Sequence, residues 1–232
     1  MNSFKYLVGA AALTLATSAL AGGPEIAPVA DSGFYLSGDW GLNFLSDASP
    51  FYTAGWNASG AVGYHFSQFR IEAEGAYLTH DARSPLQNLY FPLVGSVNVN
   101  PLKIVTAMAN AYYDFNFGSN FIPYVGAGIG WGHGWSQVFV SNNPFGLGNF
   151  SRSFDRDSFA YQGVLGLDYK ISTSLRVGLS YHALGLSGNQ TINYVTNNNN
   201  SVKNTNNVVI SRGFVNSSNF ESKLNLGLSY FF

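Results

Sequence analysis

Eight segments of this chain alternate apolar and polar side chains with a period of two, and the last runs to the final residue. In KLNLGLSYFF, Leu224, Leu226, Leu228, Tyr230 and Phe232 take every second place. Lys223, Asn225, Gly227 and Ser229 sit between them, and Phe231 is the one apolar residue out of step. Period two is the repeat of a β-strand, whose successive side chains point to opposite faces. A chain that ends on such an apolar face needs a surface to cover it.

The other seven segments repeat the pattern. Phe34, Leu36, Trp40, Leu42 and Phe44 alternate with Tyr35, Ser37, Asp39, Gly41 and Asn43. Trp56, Val62, Tyr64 and Phe66 oppose Asn57, Ser59 and His65; Phe69, Ile71, Ala73 and Tyr77 oppose Arg70, Glu72 and Glu74. Val105, Ala107, Ala109, Ala111, Tyr113 and Phe115 oppose Thr106, Met108, Asn110, Tyr112 and Asp114. Val125, Ala127, Ile129 and Trp131 alternate with glycines. Phe159, Tyr161, Leu165, Leu167 and Tyr169 oppose Gln162, Asp168 and Lys170; Leu175, Val177, Leu179 and Tyr181 oppose Arg176, Ser180 and His182. Glu221 joins Lys223 on the polar face of the eighth segment. Each segment is about ten residues, the length of a membrane-crossing strand.

The connections are lopsided. Short turns fall near Ser67-Gln68, at 116–120 and at 171–174, and long connections at 46–55, 80–102, 133–158 and 184–219. Short and long alternate strictly, so all long loops share one end with neither terminus. An even number of antiparallel strands with this asymmetry and an aromatic-rich apolar face is the transmembrane barrel pattern. Closure leaves no open edge, so every backbone group can be paired within lipid. The charges lie only on the polar faces. That is the sign for lipid outside and a polar lumen inside, opposite to a soluble lipocalin-type barrel. A porin needs about 16 strands. The reading is all-β: an eight-stranded antiparallel transmembrane β-barrel over residues 33–232, with short periplasmic turns and four long extracellular loops.

Composition agrees. Charged residues are 10% of the chain, against about 25% in an average soluble domain. No cysteine is present, so disulfides, thiolate metal sites and cysteine nucleophiles are excluded. The net charge of −1 gives no basis for nucleic-acid binding. At the N-terminus, Lys5, a short apolar stretch from Tyr6 to Thr17 and Ala19-Leu20-Ala21 have the layout of a secretory signal peptide over residues 1–21. Residues 22–32 then form a periplasmic lead, and the protein is exported to the bacterial outer membrane.

The segments GYHFSQFRIEAEGAYL, NAYYDFNFGSNFIPYVGAGIGWG, FAYQGVLGLDYKISTSLRVGLSYHALG and LNLGLSYFF resemble the opacity-type outer-membrane β-barrel family, which includes porin-like surface antigens. The resemblance implies adhesion, antigenicity or envelope integrity, without catalysis. Asn225, Gly227, Tyr230 and Phe232 also resemble the C-terminal signal read by the barrel-assembly machinery.

The polar faces predict a lumenal network of Asp39, Arg70, Glu72, Glu74, Asp114, Asp168, Lys170, Arg176, Glu221 and Lys223. Buried charges must be paired, so this network reads as a plug, with a narrow ion path as the alternative. The glycines from Gly126 to Gly130 lack the following helix of a dinucleotide site; on the lumenal face they make room for bulky neighbours such as Tyr112. Ser180 and His182, with Glu221 on the adjacent strand, have a possible hydrolytic geometry, but Ser180 faces the lumen rather than lipid substrate and no His-x-Ser-Asn motif is present, so no catalytic residue is expected. His65, His80 and His133 are too scattered for a metal site and read as interfacial or loop residues. No cofactor is implied. The long loops carry Tyr90, Phe91, Trp135, Phe139, Phe145 and Phe150 as candidate contacts, because exposed aromatics among small polar residues suit a binding surface.

Three functions stay open: a monomeric surface antigen or adhesin-like protein binding host or matrix partners, an envelope-structural barrel, and a small pore. Mass spectrometry of the exported protein is expected to find Gly22 at the N-terminus.

Overall fold

A computed structural model describes residues 32–45, 54–82, 96–141, 149–197 and 208–232. The expected signal peptide lies outside these residues, as does the expected lead up to residue 31. Ser32, the last residue of that lead, opens the first strand. The strands are β1 (Ser32–Leu45), β2 (Gly55–Phe66), β3 (Phe69–His80), β4 (Ser96–Val99), β5 (Leu102–Asp114), β6 (Phe121–Ser141), β7 (Asn149–Lys170), β8 (Leu175–Asn197) and β9 (Val208–Phe231). All except β4 form one antiparallel ring, in which β9 returns to pair with β1 from Tyr35↔Phe231 to Leu45↔Glu221. The short β4 adds an edge to the outer end of β6, Ser96↔Ser141 to Val99↔Val138.

Parity sorts the side chains as alternation predicts. Outward positions carry exposed Leu, Ile, Val and aromatics; inward positions carry Arg70, Glu74, Asp114, Asp168, Arg176, Glu221 and Lys223, all buried. On four strands the outward aromatics come in pairs ten residues apart: Phe66 and Trp56, Phe121 and Trp131, Tyr169 and Phe159, Tyr230 and Phe220. Ten residues at about 3.3 Å each, tilted about 40°, span about 25 Å, the height of a lipid-facing apolar band. These pairs mark the two membrane boundaries, with the tight turns and the C-terminus at the lower one.

The strands do not all stop at the upper boundary. Strands β1, β2, β3 and β5 have 14, 12, 12 and 13 residues, whereas β6 to β9 have 21, 22, 23 and 24. Much of the expected loops 133–158 and 184–219 is therefore strand. Above the boundary neither face meets lipid, so alternation no longer marks a strand there. The loop remnants 46–53, 83–95, 142–148 and 198–207 lie outside the described residues.

This placement predicts a depth-dependent cost for an outward cation. Val125→Arg, midway between Phe121 and Trp131, should destabilise the refolded barrel by about 2–4 kcal/mol in urea titrations. Gln137→Arg, above the boundary on the same face, should cost about 1 kcal/mol or less.

Candidate functional site

Two regions can carry function: the lumen and the projecting strands. The lumen is built in levels. Lowest are Arg70 on β3, Asp114 on β5, Asp168 on β7 and Arg176 on β8. Asp114 bridges both guanidiniums, with Arg70 Nη2 at 2.9 Å and Arg176 Nη1 at 3.3 Å, and Arg70 Nη1 lies 3.6 Å from Asp168 Oδ2. Aromatic rings enclose the cations. Arg70 sits 4.6 Å from the Tyr124 ring centre and 5.1 Å from that of Tyr112. Arg176 lies 4.1 Å from the ring centre of Phe231, which also stacks on Tyr35. The out-of-step Phe231 thus turns inward, 5% exposed, and floors the lumen.

The tyrosines fit because glycines face them. A Cβ on Gly126 would strike the Tyr112 ring, and one on Gly166 the Tyr124 ring. This pairing of a strand glycine with a cross-strand aromatic fills the interior of a small barrel at high density.

The middle level is a carboxylate network. Glu72 accepts hydrogen bonds from Tyr35 (3.0 Å), Tyr112 (3.1 Å), Asn110 (3.2 Å) and Ser37 (3.4 Å). Glu74 accepts from Asn110 (2.7 Å) and Gln162 (3.0 Å) and lies 3.7 Å from Lys223 Nζ. Asp39 accepts from Ser59 at 3.2 Å. Between these groups is a cavity of only about 30 Å³, room for a water or two.

Near the upper boundary the lumen is not uniformly polar. Ala76, Leu78, Ile104, Met108, Ala160, Leu184 and Leu186 form a buried apolar cluster. Beside it, His80 Nε2 lies 3.2 Å from Glu221 Oε1 and 3.0 Å from Asn43 Nδ2. Buried side chains thus occupy the described lumen at each of these levels.

Several expected placements change. His65 and His80 are buried in the lumen, not interfacial; His65 packs against Phe231. Lys170 stands half-buried at the periplasmic rim and, among the described residues, joins none of these ion pairs. Ser180, His182 and Glu221 do not form a hydrolytic trio, in line with the expectation of no catalytic residue. Ser180 Oγ is 3.0 Å from His182 Nε2, but His182 Nδ1 faces Gln162 Oε1 at 3.2 Å, and Glu221 is engaged by His80. An amide cannot hold an imidazolium as a carboxylate does. Tyr35, Asn110, Tyr124 and Gln162 were absent from the expected network, yet they share the parity of its charges.

Of the C-terminal group, Tyr230 and Phe232 point outward with ring centres 5.0 Å apart, while Asn225 is buried in the lumen. Among the candidate loop contacts, Tyr90, Phe91 and Phe145 lie outside the described residues. Phe150 lies on the β7 backbone opposite Val140. Trp135 and Phe139 belong to β6, not to a loop. Their row runs along the outer face, where His133 stacks on Trp131 at 5.8 Å and lies tilted against Trp135 at 5.5 Å. His133 also reaches Asp157 at 3.0 Å and Asp155 at 3.4 Å, so it belongs to a surface polar cluster rather than standing alone.

A family model described as outer membrane protein beta-barrel domain matches residues 8–232. The outer membrane protein PagN of Salmonella typhimurium is 31% identical over 131 residues, covering 52% of this chain and 53% of PagN. The chain thus aligns with about half the length of that curated relative. A major outer membrane protein of Thermus thermophilus superposes with a TM-score of 0.58 at 14% identity, over 86% of this chain and 99% of that one. OprG of Pseudomonas aeruginosa gives 0.51 at 16% identity, over 86% and 96%. At such identities the two structures speak for the fold.

The lowest lumenal level makes Asp114 the hinge of stability. Asp114→Ala leaves Arg176 without its carboxylate and Arg70 with Asp168 alone, and should cost about 3–5 kcal/mol, read as a lower urea midpoint of the refolded barrel.

Proposed function

For a chain that belongs to the outer membrane protein β-barrel family, we propose the role of a surface-displayed interaction protein, anchored by a sealed barrel and binding host-cell or matrix partners through its extracellular strands and loops. One observation carries this reading. Strands β6 to β9 continue about ten residues beyond the upper aromatic boundary, roughly 25 Å that spanning the membrane does not require. The outward face of β6 there bears half-buried Trp135 and Phe139, which is 42% exposed. Rigid aromatics of this kind anchor binding interfaces.

The filled lumen supports an anchor over a pore, and the amide behind His182 supports a non-catalytic role. Tyr230 and Phe232, outward at the lower boundary, are the side chains offered to the barrel-assembly machinery in this proposal. The barrel works as a monomer in outer-membrane lipid.

The test displays the protein on a non-adherent bacterium. In a trimmed form, Gly188 and Ser217, which face each other in register, are joined by a short turn. Attachment to host cells or matrix proteins should appear with the intact chain and vanish with the trimmed one, while heat-modifiable migration shows both folded. Equal attachment by both would move binding elsewhere. Discrete conductance steps of the intact protein in planar bilayers would favour the pore reading.

A further inference from the structure

The lipid-facing surface of the barrel is not even. On β8, β9 and β1 its middle is built from protruding leucines, Leu179, Leu224, Leu226, Leu228 and Leu36, each about half exposed. On β3 and β5 the same face carries Ala73, Gly75, Ala107, Ala109 and Ala111 instead. In register Ala73 faces Ala109, Gly75 faces Ala107, and Ala111 faces Ala127 on β6. A Cβ on Gly75 would meet no atom within 4 Å, so packing inside the molecule does not call for a side chain this small. The result is a groove of about 670 Å³ in the outer wall. Phe34, Val62 and Tyr64 form one bank, with the Phe34 and Tyr64 rings edge to face at 5.0 Å, and Ile129 forms the other. Glu72 and Asn110 line the floor through their backbone, because their side chains are hydrogen-bonded to each other in the lumen.

The position of the groove decides what fills it. On β2, β3 and β5 it begins two residues above Phe66, Phe69 and Tyr113, whose rings pack in a row at the lower boundary. On these strands it lies in the lower half of the membrane band, against the periplasmic leaflet. Whatever enters there comes from the bilayer or from a second barrel. The lining offers no charged side chain to the outside and, the Tyr64 hydroxyl apart, no polar one. The occupant is therefore hydrocarbon.

A second copy fits poorly. Two barrels related by a two-fold axis offer each other the same patch, and two recesses face to face leave a gap. A leucine ridge of one barrel set into the groove of the next is a head-to-tail contact, which extends into chains unless its rotation closes a ring. A flexible acyl chain conforms to a narrow recess. Within lipid, leaving water contributes nothing; a chain is held by dispersion, and a groove touches it on three sides instead of one. The volume also lies within the range of about 300–1,000 Å³ that holds a small organic ligand.

We propose that the groove over Ala73, Ala109 and Ala111 binds one acyl chain of a phospholipid from the periplasmic leaflet, held apart from the exchanging lipid around the barrel. The site is independent of the extracellular strands and of what they bind.

The test uses the full chain, purified from outer membranes in mild detergent. Native mass spectrometry should find one phospholipid per barrel after the micelle is stripped away. Ala109→Trp, which fills the groove, should lower the lipid-bound fraction about tenfold. Leu226→Trp, on the far side of the same apolar face, should leave it unchanged, and heat-modifiable migration shows both variants folded. A second arm needs no variant. The unmutated barrel is refolded into vesicles containing a phospholipid with a diazirine in its acyl chain. After illumination, adducts should concentrate on the β3 and β5 peptides that carry Ala73, Ala109 and Ala111, and be several-fold fewer on the β9 peptide with Leu226. A barrel that leaves the membrane without lipid, adducts spread evenly around the ring, or a bound lipid that Ala109→Trp leaves in place would reduce the groove to ordinary lipid contact and overturn the proposal. A dimer mass that Ala109→Trp abolishes would give the groove to a second copy and overturn it too.

Discussion

The pairing of β9 with β1 is the contact on which everything else depends. In lipid no water is available to backbone N–H and C=O groups, so an open sheet edge is not tolerated. Closing the ring removes the edge. It also requires an even number of strands when both termini lie on one side, and it divides every strand into a lipid face and a lumen face. The C-terminal run is apolar to its last residue because that face meets lipid. Phe231, out of step with it, meets the lumen instead.

Closure then sets a packing problem. Eight strands leave an interior just wide enough for side chains, and the alternation has filled it with charges. Each buried charge needs partners of the correct sign and geometry. Asp114 serves two arginines, and Glu72, which joins no ion pair among the described residues, is held by four hydrogen bonds. Glycines opposite Tyr112 and Tyr124 give the rings space to lie beside Arg70. The apolar layer of Ala76, Leu78, Ile104, Met108, Ala160, Leu184 and Leu186 lies above.

Above the membrane the constraint relaxes. There the strands are free of the lipid-and-lumen division, and their outward face carries the Trp131–His133–Trp135 row with Asp155 and Asp157 across the β6–β7 pair. The barrel supplies rigidity and position; the projecting strands supply surface.

The sequence by itself determined the strand number, the lipid-facing residues, the side of each turn and the membership of most lumenal charges. Each of these follows from parity, which is a property of neighbouring residues along the chain. Parity could not say how far β6 to β9 continue, because outside lipid both faces meet water and the alternation that marks a strand disappears. Nor could it assign partners within the lumen. Arg70 and Asp114 are 44 residues apart and His80 and Glu221 are 141 apart, and only the register across strands, set by closure, brings them together. The same register carried His80 out of its expected loop, parted Glu221 from His182 and left Lys170 at the rim. Which residues face inward was written locally; which of them meet was decided by the stagger of the closed ring.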